Sequence, residues 1–311
     1  MGIIQLQKVS KLGLGVTAGI FAFVGIWMLR SSQAATVPVA IEPELGQVTA
    51  PAKISQDANA SGGKSVVFNP LALTTLNDEF DGPAGTAPNA AIWGHDVGNG
   101  TQGWGNQELQ YYTADNSNSY LDGTGKLVLL AKASSTTAYK CWNGTCQYTS
   151  AKLLTKNKFT KAYGHFEARI QFPDLQNGLW PAFWMLGANI DTVGFPQSGE
   201  IDIVENYGWE AIESSLHGPV PAKDFAADYG LSNHNPKGWH TYAMDWTPTQ
   251  VTFLIDGTPF GNATKAQMGE NWAFDHPFYL ILNLAVGGLG TGGRVPANLP
   301  AKVLIDFIRV E

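Results

Sequence analysis

Apolar and polar residues alternate in short runs along the chain, and glycine, proline, asparagine or aspartate residues separate one run from the next. In the stretch 165–172, Phe166 and Ile170 belong to an apolar set that alternates strictly with polar residues. A period of two places such a set on one face of a β-strand. β-Branched and aromatic runs bounded by turn residues predict strands at 126–132, 163–172, 239–246, 251–255, 277–286 and 303–310.

Turn signals and the scarcity of helical patterns indicate the fold class. Asp256 and Gly257 follow the strand at 251–255 and predict a hairpin turn. Only the short stretch 264–270 has a helical pattern. Many strands at regular spacing with almost no helix predict an all-β protein made of two stacked antiparallel sheets.

Composition narrows the class of substrate. The 311 residues are 44% hydrophobic and 14% charged, so the chain can bury a large core without needing disulfides or a metal to fold. The formal net charge is −7 and no long basic run occurs, which argues against nucleic acid or an anionic membrane surface as the main partner. A neutral substrate fits this charge better.

The N-terminus has the residue order of a secretory signal. Lys8 and Lys11 precede an apolar stretch at 12–29, and Ser32 and Ala34 suit positions −3 and −1 of a cleavage site. Because about 18 apolar residues also nearly span a bilayer, residues 1–34 are expected to be a signal peptide or, alternatively, an N-terminal membrane anchor. We therefore expect a secreted protein, or an outward-facing one with a membrane tether.

The rest of the chain divides into a linker and a folded domain. Residues 35–64 are rich in Ala, Pro, Ser and Gly without apolar periodicity, which predicts a flexible linker. Residues 65–311 are expected to form one catalytic domain. The two cysteines, Cys141 and Cys146, flank an Asn-Gly pair and predict a local disulfide that pins a hairpin tip, with two free thiols as the alternative.

Three carboxylates interrupt a strand-like run at 199–206. On a regular strand Glu200 and Asp202 share one face, whereas Glu205 falls on the other face. A β-bulge around Ile203 and Val204 would return Glu205 to the first face, and bulges are common beside active sites. The alternative is three solvated carboxylates on an exposed strand.

This arrangement suits the hydrolysis of a glycosidic bond. A retaining glycosidase needs two carboxyl groups about 5 to 5.5 Å apart, one to attack the anomeric carbon and one to protonate the leaving oxygen. We predict that Glu200 and Glu205 form this pair. Asp202 lies between them and disfavours the ionisation of both neighbours, which helps to keep one carboxyl group protonated.

The run Glu-Ile-Asp-Ile-Val-Glu resembles the Glu-x-Asp-x-x-Glu motif of glycoside hydrolase family 16, in the form of its laminarinase-like branch. The flanking stretches agree with that branch in the same order, at 103–113, 163–169, 180–187 and 282–288. The resemblance covers the folded domain. It implies a curved β-jelly-roll whose concave face forms an open cleft for a polysaccharide. It also implies Glu200 as nucleophile, Asp202 as an assisting residue and Glu205 as general acid/base, with no cofactor required for catalysis.

Aromatic side chains are expected to bind the sugar, because their flat apolar faces pack against pyranose rings. The resemblance places Trp180 and Trp184 on the floor of the cleft near the scissile bond. It places Trp104 and Asn106 at the non-reducing side. Ordinary core packing is the alternative for each tryptophan.

Four further residues have expected roles. Arg169 is predicted to hydrogen-bond sugar hydroxyls or, alternatively, to pair with a carboxylate. His217 aligns with a family histidine near the acid/base, with a purely structural role as the alternative. Glu79 and Asp306 resemble the family's calcium site on the convex face, where Ca²⁺ would be a structural ion. Two solvated acids are the alternative there.

The chain also departs from the family pattern. After Gly287 and Gly288 many laminarinases carry Asn-Trp-Pro-Gly, whereas this chain has Leu-Gly-Thr-Gly-Gly at 289–293. The sequence therefore does not specify the contacts at one end of the cleft or the linkage that is cut. We expect a monomeric endo-acting hydrolase of β-1,3-glucan or mixed β-1,3/1,4-glucan. The alternatives are a galactan substrate such as agar or carrageenan, transglycosylation, and non-catalytic β-glucan binding.

Overall fold

The computed structural model describes residues 52–56, 64–68, 75–173, 178–208, 211–230 and 238–311. The predicted signal or anchor segment 1–34 lies outside the described residues, as does most of the predicted linker. Among the described residues, no helix is long and apolar enough to cross a membrane.

The chain divides into two compact units, Met1–Ala72 and Leu73–Glu311. The first unit contains an antiparallel hairpin of β1 (Ala52–Gln56) and β2 (Lys64–Phe68). The predicted flexible linker 35–64 therefore includes a strand, because β-branched residues occur within a composition that otherwise resembles a tether. The second unit begins at Leu73 instead of the predicted residue 65.

The second unit contains two large sheets and a small hairpin. The strands of the ten-stranded sheet are β3 (Leu76–Asp78), β5 (Gln110–Tyr112), β6 (Ser119–Leu121), β7 (Leu127–Ala133), β10 (Tyr148–Ser150), β12 (Gly164–Gln171), β17 (His240–Thr247), β18 (Gln250–Ile255), β19 (Thr258–Thr264) and β21 (Ala301–Val310). The strands of the seven-stranded sheet are β4 (Gly94–His95), β11 (Lys152–Leu154), β13 (Leu179–Gly187), β14 (Glu200–Asn206), β15 (Ala211–His217), β16 (Phe225–Gly230) and β20 (Phe278–Val286). The hairpin consists of β8 (Lys140–Cys141) and β9 (Gly144–Thr145).

The strand order differs from the chain order in both large sheets. The ten-stranded sheet runs β19-β18-β17-β12-β21-β7-β10-β5, with β3 beside β21 and β6 beside β7. The seven-stranded sheet runs β16-β15-β14-β13-β20-β11-β4. Apart from the parallel pair β5 and β10, the pairings between the described strands of these sheets are antiparallel. The predicted all-β class is confirmed.

A single main core fills the space between the two sheets. Phe166 and Ile170 of β12 pack into it from one side, and Phe183, Met185 and Ile201 enter from the seven-stranded sheet. Because side chains alternate along a strand, the residues between these positions face away from the core. The outer face of the seven-stranded sheet is therefore the face that presents the side chains of the site.

Helical segments are short. Helix α1 is Ile190–Val193 and helix α2 is Lys265–Met268, and a one-turn π-helix and two 3₁₀ turns lie at Gly103–Gln107, Pro221–Lys223 and Gly269–Asn271. Thr264 caps α2 in a reciprocal pair of hydrogen bonds with Gln267, so the helix predicted at 264–270 is confirmed. The sequence did not predict α1, since four residues are too few for a helical period.

The turn after β18 and the disulfide are confirmed, whereas the turn enclosed by the disulfide differs from the Asn-Gly pair. Asp256 and Gly257 have φ angles of 49° and 74° and connect β18 to β19, as predicted. Cys141 and Cys146 form a disulfide across the β8–β9 hairpin, with their Cα atoms 5.0 Å apart. Since Cys141 pairs with Gly144, the hairpin turn consists of the residues at 142–143 and not of the Asn-Gly pair.

Candidate active site

Strand β14 contains the predicted β-bulge. Its register against β15 shifts between Asp202 and Glu205. Ile203 and Val204 therefore lie together opposite Ser214. The buried Ser214 hydroxyl donates a hydrogen bond of 2.7 Å to the Ile203 carbonyl, which satisfies the acceptor that the bulge removes from the ladder.

The bulge places Glu205 on the same face of the sheet as Asp202. Asp202 lies opposite Trp184 of β13, and Glu205 lies opposite Ala182. Directly paired residues of antiparallel strands point to the same side, and positions 182 and 184 share a face because they are two residues apart. Glu200, two residues before Asp202, shares that face. All three carboxylates thus lie on the outer face of the seven-stranded sheet.

Asp202 is the centre of a polar chain across β14 and β15. Its buried carboxylate accepts a hydrogen bond of 2.7 Å from the Ser215 hydroxyl. His217 Nε2 lies 3.1 Å from the same Asp202 oxygen and 4.0 Å from Glu200 Oε1. On its other side, His217 Nδ1 lies 2.7 Å from Asp224 Oδ2. The imidazole is therefore surrounded by carboxylates, which favours its cationic form.

The protonation of His217 decides whether this cluster can bind a metal. Burial alone lowers the pKa of His217, but the hydrogen bond and charge of Asp202 and the charge of Glu200 outweigh it and raise the pKa to about 10. Ligand atoms of Glu200, Asp202 and His217 lie within 4.8 Å of one another, a spacing that could hold a metal ion. A doubly protonated imidazole has no free lone pair for a metal, so the cluster favours an ion-pair network.

Glu205 lies in an enclosed position between two aromatic residues. Its side chain is only 7% exposed, and Trp180 Nε1 donates a hydrogen bond of 2.7 Å to Oε1. The Tyr207 hydroxyl lies 2.9 Å from Glu205 Oε2 and 3.0 Å from Glu213 Oε1. One hydroxyl proton cannot be donated to both carboxyl groups. A protonated Glu205 that donates to Tyr207 satisfies both contacts.

The pKa values of Glu200 and Glu205 are both raised. Burial, followed by the charge of Asp202, raises the pKa of Glu200 to about 8, while the positive charges of His217 and Lys152 oppose this shift. Burial and the Asp202 charge raise the pKa of Glu205 well above its usual range, although its hydrogen-bond donors favour the ionised form. The pair therefore retains a proton at neutral pH, and Glu205 is the carboxyl group that holds it.

A hydrogen-bonded chain fixes the ring edge of Trp184. Its Nε1 donates to Asn283 Oδ1 at 2.7 Å, and Asn283 Nδ2 donates to the Tyr112 hydroxyl at 3.1 Å. The Tyr112 hydroxyl in turn donates to Glu108 Oε2 at 3.2 Å. Burial raises the pKa of Glu108. The predicted cleft residue Trp184 is thus oriented by polar groups from three other segments.

Lys152 is a buried cation that joins two of the predicted sugar-binding residues. Its Nζ lies 4.2 Å from the centre of the Trp104 ring and 5.0 Å from the centre of the Trp184 ring. Asp96 Oδ2 is 3.3 Å away and balances the charge. A desolvated cation between two indole rings attracts both. Lys152 therefore brings Trp104 and Trp184 together.

The glycine-rich loop 287–293 covers part of the predicted cleft floor. A Cβ atom at Gly290 would lie only 2.7 Å from the Trp180 ring, so the loop backbone contacts that ring closely. Leu289 N donates a hydrogen bond of 2.7 Å to the Asn106 carbonyl. At the position where many family members have a tryptophan, this chain presents a glycine backbone on Trp180 and an exposed Leu289.

The structure contradicts the prediction that Arg169 binds substrate in the cleft. Arg169 lies on β12 of the ten-stranded sheet, the sheet that does not contain β14. Its guanidinium donates to Asp306 at 2.5 Å and lies 5.1 Å from the Trp239 ring centre. The alternative, pairing with a carboxylate, is confirmed. Alternation correctly gives the outward face of β12, but alternation cannot tell which sheet carries the cleft.

Glu79 and Asp306, the two predicted calcium ligands, both have cationic partners. Arg309 donates two hydrogen bonds to Glu79 Oε1, at 2.8 and 3.1 Å. Asp306 is paired with Arg169 and lies 3.6 Å from Lys126 Nζ. A guanidinium or ammonium group at each carboxylate repels a calcium ion. Each of the two predicted ligands therefore forms an ion pair in this structure, and the calcium site stays a prediction.

Several residues of this cluster were not predicted from the sequence. Ser215 precedes the predicted His217 by two residues and so shares its face, which a period of two would have indicated. Lys152 is a lone lysine in an otherwise apolar run at 151–154, which is a signal for a buried charge. Tyr207 follows β14 and Asp224 precedes β16, both outside the strands, and no local pattern predicts the contacts of such residues.

Comparison with known proteins relates this geometry to a family. The family described as "Glycosyl hydrolases family 16" matches residues 105–309. A beta-glucanase of Rhodothermus marinus is 35% identical over 252 residues, which cover 75% of this chain and 83% of the relative. The endo-beta-1,3-glucanase structure from Pyrococcus furiosus is 40% identical with a TM-score of 0.69, covering 76% of this chain and 92% of that one.

Some relatives are much longer proteins. Glucan endo-1,3-beta-glucosidase A1 of Niallia circulans is 34% identical over 258 residues, which cover 75% of this chain but only 37% of the relative. The similarity therefore covers little more than a third of that relative.

Proposed function

The chain belongs to glycoside hydrolase family 16, and we propose that it is a retaining endo-β-glucanase that hydrolyses internal β-1,3 or mixed β-1,3/1,4 glucosidic bonds. The observation that carries this proposal is the bulge at Ile203, because it places Glu205 on the face of Glu200 and Asp202. The named activities of the relatives support the substrate class. The neutral polysaccharide also fits an acidic protein surface.

The first chemical step uses the protonation pattern of the site. Glu205 holds a proton and gives it to the glycosidic oxygen, while the Glu200 carboxylate attacks the anomeric carbon. The bond between that carbon and the oxygen breaks, the reducing-end part of the chain leaves, and a glycosyl ester forms on Glu200. His217, 4.0 Å from Glu200 Oε1, and Lys152 provide the positive charge that favours the ionised nucleophile.

The second step returns the enzyme to its starting state. Glu205, now a carboxylate, takes a proton from a water molecule, whose oxygen attacks the anomeric carbon. The ester bond to Glu200 breaks and the β-configuration is restored. Trp180 and Tyr207 contact Glu205 and stabilise its ionised form during this step, since both can donate hydrogen bonds to it.

The test of this proposal is substitution of each carboxyl group. Glu200→Gln and Glu205→Gln are expected to lower kcat on laminarin by at least about 10³-fold, because each removes one of the two chemical roles. Azide should restore activity to Glu200→Gly by acting as the nucleophile. Glu270→Gln is a matched control, since Glu270 is 67% exposed and paired with Lys223. Full activity in either catalytic variant would reject the proposal.

Product analysis tests the substrate. Incubation with laminarin, lichenan and agarose followed by mass spectrometry should yield oligosaccharides of mixed length from the glucans and none from agarose. Cleavage of agarose alone would show that the substrate is a galactan and not a glucan. Oligosaccharides longer than the intact substrate chain would indicate transglycosylation.

Export is a further part of the proposal and rests on residues 1–34 together with the disulfide between Cys141 and Cys146. Disulfides persist mainly in oxidising compartments. The mature protein should therefore be found outside the cytoplasm, and N-terminal sequencing should place its first residue after Ala34. Retention in the membrane fraction with the full mass would favour the anchored alternative. Size-exclusion chromatography should show a monomer.

A further inference from the structure

Trp142, at the turn of the disulfide-bonded hairpin, is an exposed aromatic residue that the catalytic mechanism does not use. Its side chain is 44% exposed. The backbone N–H donates to Asn99 Oδ1 at 2.9 Å, and the indole Nε1 donates to the Glu108 carbonyl at 3.0 Å. The polar edge of the ring is thus satisfied by the protein while much of the ring remains open to solvent.

The supports of Trp142 are themselves rigid. Asn99 is buried, and its Nδ2 donates to the carbonyls of Glu108 and Gln110 at 3.0 and 2.8 Å. The disulfide between Cys141 and Cys146 closes the hairpin that carries Trp142. A ligand that packs on Trp142 therefore does not have to immobilise a mobile side chain, which is a condition for effective binding.

Trp142 continues the aromatic residues of the cleft. A Cβ atom at Gly103 would lie 2.9 Å from Trp142 Nε1, and Gly103 immediately precedes Trp104. The Trp104 ring shares the cation of Lys152 with Trp184. Trp142 Nε1 also donates to the carbonyl of Glu108, at the end of the same loop. Trp142 therefore lies beside the loop that carries Trp104 and Asn106, the two residues expected at the non-reducing side of the cleft.

A concave surface beside Trp142 has the chemistry of a sugar site. A groove of about 370 Å³ is lined by Leu109, Asn143, Thr145, Gln147 and Tyr148. Its lining combines amide and hydroxyl groups with an aromatic ring and contains no charged residue. Such a surface suits a neutral ligand with many hydroxyl groups and a hydrophobic C–H face.

We propose that Trp142 and this groove form a remote sugar-binding site. The site holds the part of the glucan chain that extends beyond the sugar units bound at Trp180 and Trp184. The inference rests on the proposed function, since the ligand is an extension of the same β-glucan. Because the site lies outside the catalytic cluster, it contributes to binding only when the glucan chain is long enough to reach it. Its effect is therefore on the affinity for polymer and not on the affinity for a short oligosaccharide.

Binding to the inactive Glu200→Gln protein tests the inference without cleavage. Affinity electrophoresis in gels that contain laminarin, and calorimetry with a trisaccharide of β-1,3-linked glucose, give the two dissociation constants. Adding Trp142→Ala should raise the Kd for laminarin about five- to tenfold and leave the Kd for the trisaccharide unchanged, as expected for the loss of one aromatic platform. Trp142→Phe should retain most of the affinity. Trp239→Ala, in a tryptophan that packs on Arg169, is the matched control and should change neither constant.

The outcomes separate this inference from the proposed function. If Glu200→Gln binds laminarin and Trp142→Ala binds it equally well, the remote site is wrong and the glucanase assignment stands. If both Kd values rise together, Trp142 acts on the central cleft and the inference is also wrong. If Glu200→Gln binds no laminarin at all, the proposed substrate fails, and the remote site fails with it. Near-ultraviolet circular dichroism of each variant establishes that it is folded.

Discussion

Individual charges decide how the two glutamates differ. Glu200 has the cationic His217 and Lys152 as neighbours, whereas Glu205 is enclosed with Trp180 and Tyr207. Positive charge favours an ionised nucleophile and enclosure favours a protonated acid. The division of labour that the family resemblance implied therefore has a physical cause in the residues around each carboxyl group.

Removing the charge of Lys152 should change the pH dependence of the enzyme. Lys152 lowers the pKa of Glu200, so Lys152→Met is expected to raise that pKa and move the acidic limb of kcat/KM to higher pH. The loss of activity should be largest below about pH 8 and should fade well above it, because Glu200 is ionised in both proteins there. Lys152→Arg keeps the charge and is the control. A uniform loss at all pH values would show that Lys152 only supports the packing of Trp104 and Trp184.

The raised pKa of Glu200 also predicts a cost in stability at high pH. A carboxyl group whose folded-state pKa is raised contributes a stability that is fully present below its ordinary pKa of 4.5. This contribution is lost as the pH rises from there through the folded-state value, here about 8. Glu200→Gln cannot ionise. Its melting temperature should be close to that of the wild type at roughly pH 4 and exceed it at roughly pH 9, as thermal unfolding can measure. An equal or lower melting temperature at pH 9 would contradict the raised pKa.

At the scale of single elements, strand β14 shows what the sequence can and cannot specify. The bulge was predictable because a regular strand would have separated Glu205 from Glu200, and the structure has the extra residue at the predicted place. Six strands were predictable from β-branched and aromatic runs, namely β7, β12, β17, β18, β20 and β21. Two- and three-residue strands such as β4 and β5 were not, since so few residues carry no period.

The hydrogen bond beneath the bulge should matter for both folding and catalysis. Ser214→Ala leaves the Ile203 carbonyl without its partner in a buried position and is expected to lower the free energy of unfolding by about 1–3 kcal/mol. It should also lower kcat, because Glu205 follows the bulge. Ser150→Ala is the matched control, since Ser150 donates a similar buried bond of 2.6 Å to the Leu284 carbonyl. Equal kcat values in the two variants, measured alongside urea unfolding, would show that the bulge keeps its shape without Ser214.

At the scale of the whole molecule, the order of strands in the sheets decides which predicted residues meet. Glu200, Asp202 and Glu205 are close in sequence, so their meeting depends on one strand. His217 joins them because β15 is the neighbour of β14. Arg169 does not, because β12 belongs to the other sheet. Local patterns give the face of each strand, but the strand order results from long-range packing that no single segment contains.

The second compact unit should fold and act by itself. A chain that begins at Leu73 contains both large sheets and every residue of the proposed cleft. Its kcat and KM on laminarin are expected to stay within roughly twofold of those of the full chain, since a domain with its own core can fold alone. Loss of the cooperative unfolding transition in the shorter chain would contradict this division.

The central claim is that Glu200 forms a covalent bond with the sugar while Glu205 protonates the leaving oxygen. Both carboxyl groups act from the same face of the seven-stranded sheet. The most direct measurement is peptide mass spectrometry after incubation with a 2-deoxy-2-fluoro derivative of a β-1,3-linked glucose disaccharide that carries a good leaving group, because the fluorine slows the hydrolysis of the glycosyl ester. The account predicts one labelled peptide, with the sugar on Glu200. A label on Glu205 or Asp202, or full inactivation without any labelled carboxyl group, would contradict it.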